Sequence, residues 1–332
     1  MTPNARFTEF LQDIEPSATT KAQASAAHTK LRDFLANHGV YGDVHVRTYL
    51  SGSYKRDTAI RPKQEAGVTL RPDVDIIVVI DHDLNESPAE AVDALYDAIS
   101  DGYDDIRKQQ RSVGITTATV DMDVVPIIEP YGDGGGLFIP DRKLEQWLPT
   151  NPPGHTEWTT TRNAQADGRF KPLVKLVKWW RRQNPTTGRH PKGFVLECIV
   201  SACMTDTETH YGASFTKCLE RIVTEYQFYM ALGIVPMISD PAVPANSVTS
   251  GISFEDFKSF YDLVCEHAAI ARQALDATDQ DEATKLWKQL FGSRFPGPPV
   301  TKAALLASAA APPITLGFPD RPVKPNKPSG FA

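Results

Sequence analysis

The sequence has few cysteines, no long apolar run and no excess of basic charge, and each shortage excludes a class of protein. The four cysteines among 332 residues include no C-x-x-C pair, so neither a structural zinc site nor a disulfide framework is expected. Apolar runs such as 76–80 have the length of a strand, which is too short to cross a membrane. With 35 Lys and Arg against 41 Asp and Glu, the net charge is −6, and no basic stripe indicates binding to duplex nucleic acid.

The remaining composition is that of a globular protein. Hydrophobic residues make up 41% of the chain and charged residues 23%, which is ordinary for a soluble protein. The N-terminus has no basic region followed by an apolar core, so no signal peptide is expected and the protein is predicted to be cytoplasmic. An acidic chain can still bind a small anionic substrate through a local basic cluster and a metal ion.

The order of hydrophobic patterns predicts a mixed α/β half, an all-helical half and a proline-rich tail. The corresponding boundaries are 1–155 for a core with an N-terminal helix, 156–296 for a helical domain, and 297–332 for a mostly disordered tail. The predicted segments, in chain order, are helix in 1–38, strands 44–50 and 73–80, helix 88–100, a strand pair in 111–128, irregular chain in 129–168, and helices from residue 170 onward.

An Asp-x-Asp pair opens the second apolar strand. Asp73 and Asp75 are two residues apart, so on a strand they project from the same face. Carboxylates placed side by side repel one another unless cations lie between them. With a third aspartate from a neighbouring strand they would form an oxygen pocket suited to two Mg²⁺ ions, which can clamp both oxygens of an in-line phosphoryl displacement.

Two aspartates compete for the third position. Asp121 and Asp123 lie in VDMDVVP (120–126), where alternation puts both on the face opposite Val120 and Val124. Spacing alone does not choose between them.

Two further features suit a triphosphate. Gly52-Ser53 follows the first strand at a sharp turn, where a backbone N–H and a hydroxyl can hold a phosphate oxygen. Lys175 and Lys178 are three apart and share a helix face, which would equally be typical of a solvated surface. Arg181 and Arg182 are expected to be surface residues.

These motifs together resemble a known family. SGSYKRDTAIRP (51–62), RPDVDIIVVI (71–80), VDMDVVP (120–126) and FKPLVKLVKWWRRQN (170–184) look like the bacterial cGAS/DncV-like nucleotidyltransferases, or CD-NTases, of CBASS anti-phage systems. The resemblance covers about residues 7–296 and includes the helical end, 253–296. It implies an α/β, polymerase-β-like nucleotidyltransferase lobe with a mixed sheet, and a C-terminal all-helical lobe.

The resemblance also implies an activity and a site. A CD-NTase joins NTPs, ATP and/or GTP, into a cyclic di- or trinucleotide with release of pyrophosphate, using two Mg²⁺ ions, with Mn²⁺ as an alternative. Gly52 and Ser53 match the residues that hold the donor triphosphate, and Asp73 and Asp75 match the first two metal ligands. Asp123 matches the third metal ligand, because the family's third aspartate precedes a proline by three residues. Lys178, together with Lys175, matches the lysines that contact the β- and γ-phosphates. Phe194 matches the aromatic residue that stacks on the donor base, where relatives more often carry tyrosine.

Other functions stay open. A linear nucleotidyltransferase acting on RNA or protein should show a basic groove, and a catalytically inactive scaffold on the same fold should have lost a metal aspartate. The tail, ending Gly330-Phe331-Ala332, resembles those of CD-NTases joined through the C-terminus to other molecules by an E1/E2-like conjugating enzyme. That enzyme is therefore an expected partner, whereas neither a membrane nor duplex nucleic acid is.

Overall fold

A mixed sheet and a set of helices make up the described part of the chain, residues 2–65, 68–132, 135–188 and 190–298 of a computed structural model. The described residues up to Pro296 form one compact unit. The strands are β1 His45–Leu50, β2 Gln64–Glu65, β3 Val68–Thr69, β4 Asp73–Ile80, β5 Ile106–Lys108, β6 Val113–Thr116, β7 Asp121–Ile128, β8 Leu137–Asp141 and β9 Gln146–Thr150. The helices are α1 Asn4–Ile14, α2 Ala18–Ala36, α3 Gly52–Arg56, α4 Pro88–Ser100, α5 Pro152–Gln165, α6 Phe170–Gln183, α7 Gly193–Cys203, α8 Tyr211–Leu232, α9 Phe254–Asp276 and α10 Gln280–Phe291.

The main sheet has the order β1–β4–β7–β6–β5, with β8 paired to β7 and β9 to β8. Strands β4 and β7 are parallel, and the other neighbours are antiparallel. Alternation along β4 buries Val74, Ile76, Val78 and Ile80 in a core that also contains residues of α2 and α4. The sheet is therefore mixed, as predicted.

The opposite face of β4 changes character along the strand. Its second half carries Ile77 and Val79, which pack with Leu137 of β8 in a small apolar cluster. Its first half carries Asp73, which is exposed, and Asp75, which is partly buried. The aspartates therefore lie at the open end of a face that is otherwise buried.

A second core lies among α6 to α10. Trp180, Phe215 and Phe260 are fully buried in it. Helix α1 packs into the same core rather than against the sheet, and the ring of Phe7 lies 5.0 Å from that of Trp287 and 5.1 Å from that of Phe295. Helix α1 therefore shares the helical core, and its predicted grouping with residues 1–155 stays a prediction. The boundary after residue 155 falls inside α5 and stays a prediction.

The region predicted to be irregular, 129–168, is mostly regular. It contains β8, β9 and α5, so that prediction was wrong. Pro140 and Pro149 make the two strands difficult to recognise in the sequence, because proline cannot donate a hydrogen bond to a β-ladder. Both are accommodated, since proline is tolerated at a sheet edge. Helix α5 begins with Pro152, and proline is tolerated at this position because the first N–H of a helix has no intrahelical acceptor. The side chain of Asn151 caps the helix by accepting a hydrogen bond from the Gly154 N–H at 2.9 Å.

Three further features are the C-terminal tail, the length and polarity of the helices, and the cysteines. The proline-rich tail beyond residue 298 lies outside the described residues. None of the helices in the described ranges is long and apolar enough to cross a bilayer. All four cysteines are free, and three of them are buried.

Candidate active site

Four aspartates lie on the open face of β4 and β7. The parallel register places Asp73 beside Asp121 and Asp75 beside Asp123, on strands about 4.8 Å apart. Arg71 Nε donates to Asp121 Oδ1 at 2.8 Å. Asp121 is therefore held by an arginine, whereas the other three carboxylates have no ion pair among the residues described.

The three remaining carboxylates are held close together at an energetic cost. Burial raises the pKa of Asp75 to about 6, and the charges of Asp73 and Asp123 add to that shift. Burial, followed by the charges of Asp123 and Asp121, also raises the pKa of Asp73. Burial likewise raises the pKa of Asp123, although a hydrogen bond with Ser112 acts in the opposite direction. Such clusters are unfavourable unless a cation lies among them.

The donor set fits a divalent cation. Asp123 Oδ1 is buried and has no hydrogen-bond partner in the described part of the chain, and a buried oxygen of this kind requires a ligand or costs free energy. Carboxylate oxygens are the ligands that hard divalent ions prefer. No three His, Cys, Asp or Glu side chains among the described residues form a finished metal cage, so an ion would have to draw the carboxylates together.

The turn after β1 lies directly against one of these carboxylates. Gly52 has a φ of +62°, and a Cβ on it would stand 1.7 Å from Asp75 Oδ2. Only glycine fits there, because both the backbone conformation and the space exclude a side chain. The backbone N–H of Ser51 donates to the Asp75 carbonyl at 2.8 Å, which fixes the turn to β4. Any phosphate held at Gly52-Ser53 would therefore lie beside the aspartates.

A cleft of about 920 Å³ opens in front of this turn, which is large enough for a nucleotide. We call it the donor cleft. Among the residues that line it are six predicted from the sequence, namely Gly52, Ser53, Asp73, Asp75, Lys178 and Phe194.

Lys178 lies in a buried ionic cluster at the cleft wall. Its Nζ is 2.7 Å from Glu197 Oε1 and 3.2 Å from both the carbonyl and the hydroxyl oxygen of Thr58. Arg56 donates to both carboxylate oxygens of Glu197 at 3.0 Å. Burial would raise the pKa of Glu197, but Lys178 and Arg56 outweigh it and hold that pKa at about 2. One anion between two cations leaves the cluster with a net positive charge.

Lys175 does not reach the donor cleft. Its Nζ forms ion pairs with Glu15 at 2.7 Å and Asp57 at 3.3 Å, and its side chain is 4% exposed. Its predicted place on the β- and γ-phosphates is therefore not supported. Glu15 at the end of α1 and Asp57 at the end of α3 hold the ammonium group, although Lys175 and Lys178 are close on the helix surface.

Phe194 lies at the start of α7 and is only partly buried. The guanidinium of Arg56 lies 5.0 Å from its ring centroid, and the ring of His155 lies 4.5 Å away at a tilt of 53°. The phenylalanine is thus a wall residue of the cleft with two neighbours that fix its ring.

Three functional residues escaped the sequence analysis. Arg181 is 6% exposed and lines the cleft together with Arg182, so the expectation that both are surface residues was wrong. Glu197 orders the ionic cluster but was not singled out. The sequence does contain a signal for Glu197, since it is a single acidic residue within an apolar helical run, FVLECIV (194–200). An acidic residue in such a run is rarely buried without a cationic partner.

Comparisons with known proteins agree with this geometry. Residues 1–163 match the Second Messenger Oligonucleotide or Dinucleotide Synthetase (SMODS) domain family. A cyclic AMP-AMP-AMP synthase from an Acinetobacter species is 50% identical over 340 residues, which cover 100% of this chain and 98% of that protein. The chain belongs to the CD-NTases, the cGAS/DncV-like nucleotidyltransferases of CBASS.

More distant relatives share the same fold. A cyclic AMP-AMP-GMP synthase from Enterobacter hormaechei is 29% identical over 88% of this chain and 92% of its own length. The structure of the Bradyrhizobium diazoefficiens CD-NTase CdnG in complex with GTP superposes with a TM-score of 0.72 at 16% identity, covering 88% of this chain and 96% of that one. This CD-NTase is therefore a nucleotidyltransferase that builds a cyclic oligonucleotide from NTPs for anti-phage signalling, and enzymes of this family use divalent metal ions.

Proposed function

We propose that this enzyme joins three ATP molecules into a cyclic AMP-AMP-AMP ring. The 50% identity with a synthase of that name over essentially both full lengths supports the base and the ring size. Each bond forms when a ribose hydroxyl oxygen attacks the α-phosphorus of a donor. The bond from that phosphorus to the β-phosphate oxygen breaks, and pyrophosphate leaves. Three such steps close the ring. Because NTPs are its substrates, we also propose that the enzyme is cytoplasmic.

The observation that carries the proposal is the group of three carboxylates beside the Gly52 turn. We propose that Asp73, Asp75 and Asp123 hold two Mg²⁺ ions, with Mn²⁺ as an alternative, and the unpartnered Asp123 Oδ1 supports that choice over the arginine-bound Asp121. Bound ions would supply charge neutralisation for the attacking and leaving oxygens. Asp123 would also accept the proton of the attacking hydroxyl.

The donor triphosphate would lie between the turn and the ionic cluster. The Gly52-Ser53 turn offers a backbone N–H and a hydroxyl, and the Ser53 side chain has no hydrogen-bond partner among the described residues. Lys178 already has three acceptors, so it would act through the net positive charge of its cluster rather than as a free ligand. Phe194 would contact the donor base.

Incubation with the four NTPs and Mg²⁺, followed by phosphatase treatment and mass spectrometry, tests the proposal. We expect one phosphatase-resistant product with three AMP units, formed with ATP alone. A product that requires GTP would overturn the choice of base. Linear products that the phosphatase degrades would support the alternative of a linear nucleotidyltransferase.

The Lys178→Ala variant should raise the KM for ATP by about tenfold, which corresponds to about 1.4 kcal/mol, because one of the two cations of the cluster is lost while the carboxylates stay in place. Arg56 would still pair with Glu197, so the fold should survive. Steady-state kinetics with ATP measure this. Lys175→Gln, three residues away on the same helix, is the matched control and should leave the KM unchanged. Equal effects of both variants would restore Lys175 to the phosphate site.

The E1/E2-like enzyme remains a proposed partner of the tail, based on the proline-rich composition of 297–332. Deleting 320–332 should leave ATP turnover in vitro nearly unchanged, because the cleft residues all lie before Phe295. Co-expression with the conjugating enzyme, followed by mass spectrometry, should show that the adduct is lost. An adduct that survives the deletion would contradict this role.

A further inference from the structure

A second cavity lies next to the donor cleft. Its volume is about 430 Å³, within the range of ligand pockets. We call it the side pocket, and four residues line both cavities, namely Pro62, Lys63, Arg182 and Pro185. The two spaces therefore adjoin.

The side pocket has an excess of positive charge. Arg61, Lys63, Arg182 and Arg294 line it, and no acidic side chain of the described residues does. The Asp13 carboxylate binds two of the arginines, at 2.6 Å from Arg61 Nη1 and 3.0 Å from Arg294 Nη1. One carboxylate thus serves two of the three guanidinium groups, which leaves the arginines with an excess of positive charge.

Arg182 stands at the boundary of the two cavities without a carboxylate. Its Nη1 donates to the backbone carbonyl of Arg61, and its guanidinium lies 5.7 Å from the ring centroid of Trp179. No ion pair of Arg182 occurs among the described residues, and burial lowers the pKa of this guanidinium although Tyr54 acts against that shift. Buried charges are normally paired, so an anionic ligand at this point would stabilise the arrangement.

The groups that the side pocket exposes favour a phosphate chain over a nucleoside. Its aromatic residues expose almost no ring surface, since Trp179 is 4% exposed and Phe291 is fully buried. The indole N–H of Trp179 is also used, because it donates to the Phe291 carbonyl at 2.8 Å. A base would therefore find no face to stack on, whereas a short polyanion would meet several cations.

We propose that the side pocket binds pyrophosphate after it leaves the donor cleft. The inference rests on the proposed function, because the proposed reaction would release pyrophosphate in the donor cleft, which Arg182 and Lys63 also line. The triphosphate of a second nucleotide has the same chemistry and is the other source to be distinguished. Removal of pyrophosphate to a neighbouring site would clear the donor position for the next ATP.

Calorimetric titration of the full-length protein with pyrophosphate, in the absence of NTP, tests the proposal. The parent chain should show two classes of site, one in each cavity. Arg294→Gln should weaken one class by about tenfold or more, because a charge-assisted contact is lost. Arg294 does not line the donor cleft, and Asp13 keeps Arg61 as a partner, so a thermal melt should show an intact fold. Arg272→Gln, which breaks a partly exposed pair with Glu220, is the matched control and should retain both classes.

The outcomes separate the two proposals. Equal binding by Arg294→Gln and Arg272→Gln would overturn the side pocket, whatever the enzyme synthesises. A parallel titration with a non-hydrolysable ATP analogue should be insensitive to Arg294→Gln. If the analogue is affected and pyrophosphate is not, the assignment to pyrophosphate is overturned. If Arg294→Gln loses one class of pyrophosphate sites but the parent protein makes no cyclic product, the side-pocket proposal is supported and only the proposed function is contradicted.

Discussion

The Asp73→Asn/Asp75→Asn double variant is expected to lose oligonucleotide synthesis by at least about 10³-fold, since removal of even one transition-state donor costs about 10²–10³-fold in other enzymes. The two amides keep the shape of the carboxylates but cannot neutralise divalent ions. Product formation from ATP, measured by mass spectrometry, should fall below detection. Turnover like that of the parent would end the two-metal proposal.

The same variant should unfold at an equal or higher temperature than the parent chain. Burial and the charges of neighbouring aspartates raise the pKa of both Asp73 and Asp75, so their charged forms oppose folding in the absence of a cation. Removing them relieves this cost, which is the usual trade between stability and function at an active site. A large drop in melting temperature would mean that the carboxylates have a structural role instead.

Asp121→Asn is the matched control, because Asp121 shares the face and strand of Asp123 but is paired with Arg71. It should retain most of the activity, whereas Asp123→Asn should lose it. The reverse result would make Asp121 the third ligand. This comparison resolves what alternation along the strand leaves open.

Local patterns predicted the part of the fold that carries the aspartates. Strand β4 begins and ends as predicted at 73 and 80, and α4 at 88 and 100, because an apolar run and a Ser-Pro helix start are strong local signals. The register that sets Asp75 beside Asp123 is a long-range property. Local sequence patterns do not encode this register. The prediction of Asp123 over Asp121 came from the resemblance to the family.

Side-chain partners from distant segments account for what could not be predicted. Lys175 and Lys178 are three residues apart and share a helix face by spacing. Glu15 and Asp57 attract the first, and Glu197 attracts the second. Spacing along one helix says nothing about the acids that other elements bring to it. The side pocket was missed for the same reason, since Arg61, Arg182 and Arg294 come from three separate parts of the chain.

Glu197 is the residue whose loss should most destabilise the fold near the site. It is fully buried and accepts hydrogen bonds from Arg56, Thr58 and Lys178. Glu197→Leu would leave two cations buried without a counter-ion, and breaking a buried pair in this way costs about 3–5 kcal/mol. Urea denaturation at neutral pH measures the change. Glu220→Gln is the control, because its pair with Arg272 is about 40% exposed, and such surface pairs contribute about 1 kcal/mol or less.

The contribution of Glu197 should also depend on pH with a defined sign. Its pKa is held at about 2 in the folded protein, below the value of about 4.3 in an unfolded chain. A depressed carboxyl pKa stabilises the fold above the unfolded value, and that stabilisation is lost as the pH falls from about 4 toward 2. The parent chain should therefore lose stability over this range more steeply than Glu197→Leu. Parallel denaturation curves for the two proteins would contradict an ionised Glu197.

A double variant separates the contribution of the ionic cluster to stability from its contribution to ATP binding. Glu197→Leu combined with Lys178→Met removes an anion and a cation together, so it should recover part of the lost stability. It should not recover the low KM for ATP, because Lys178, one of the two cations at the wall of the donor cleft, is absent from it. Recovery of both stability and KM would show that the ionic cluster only supports the fold. Recovery of stability alone would show that the cluster also contributes to binding of the donor triphosphate.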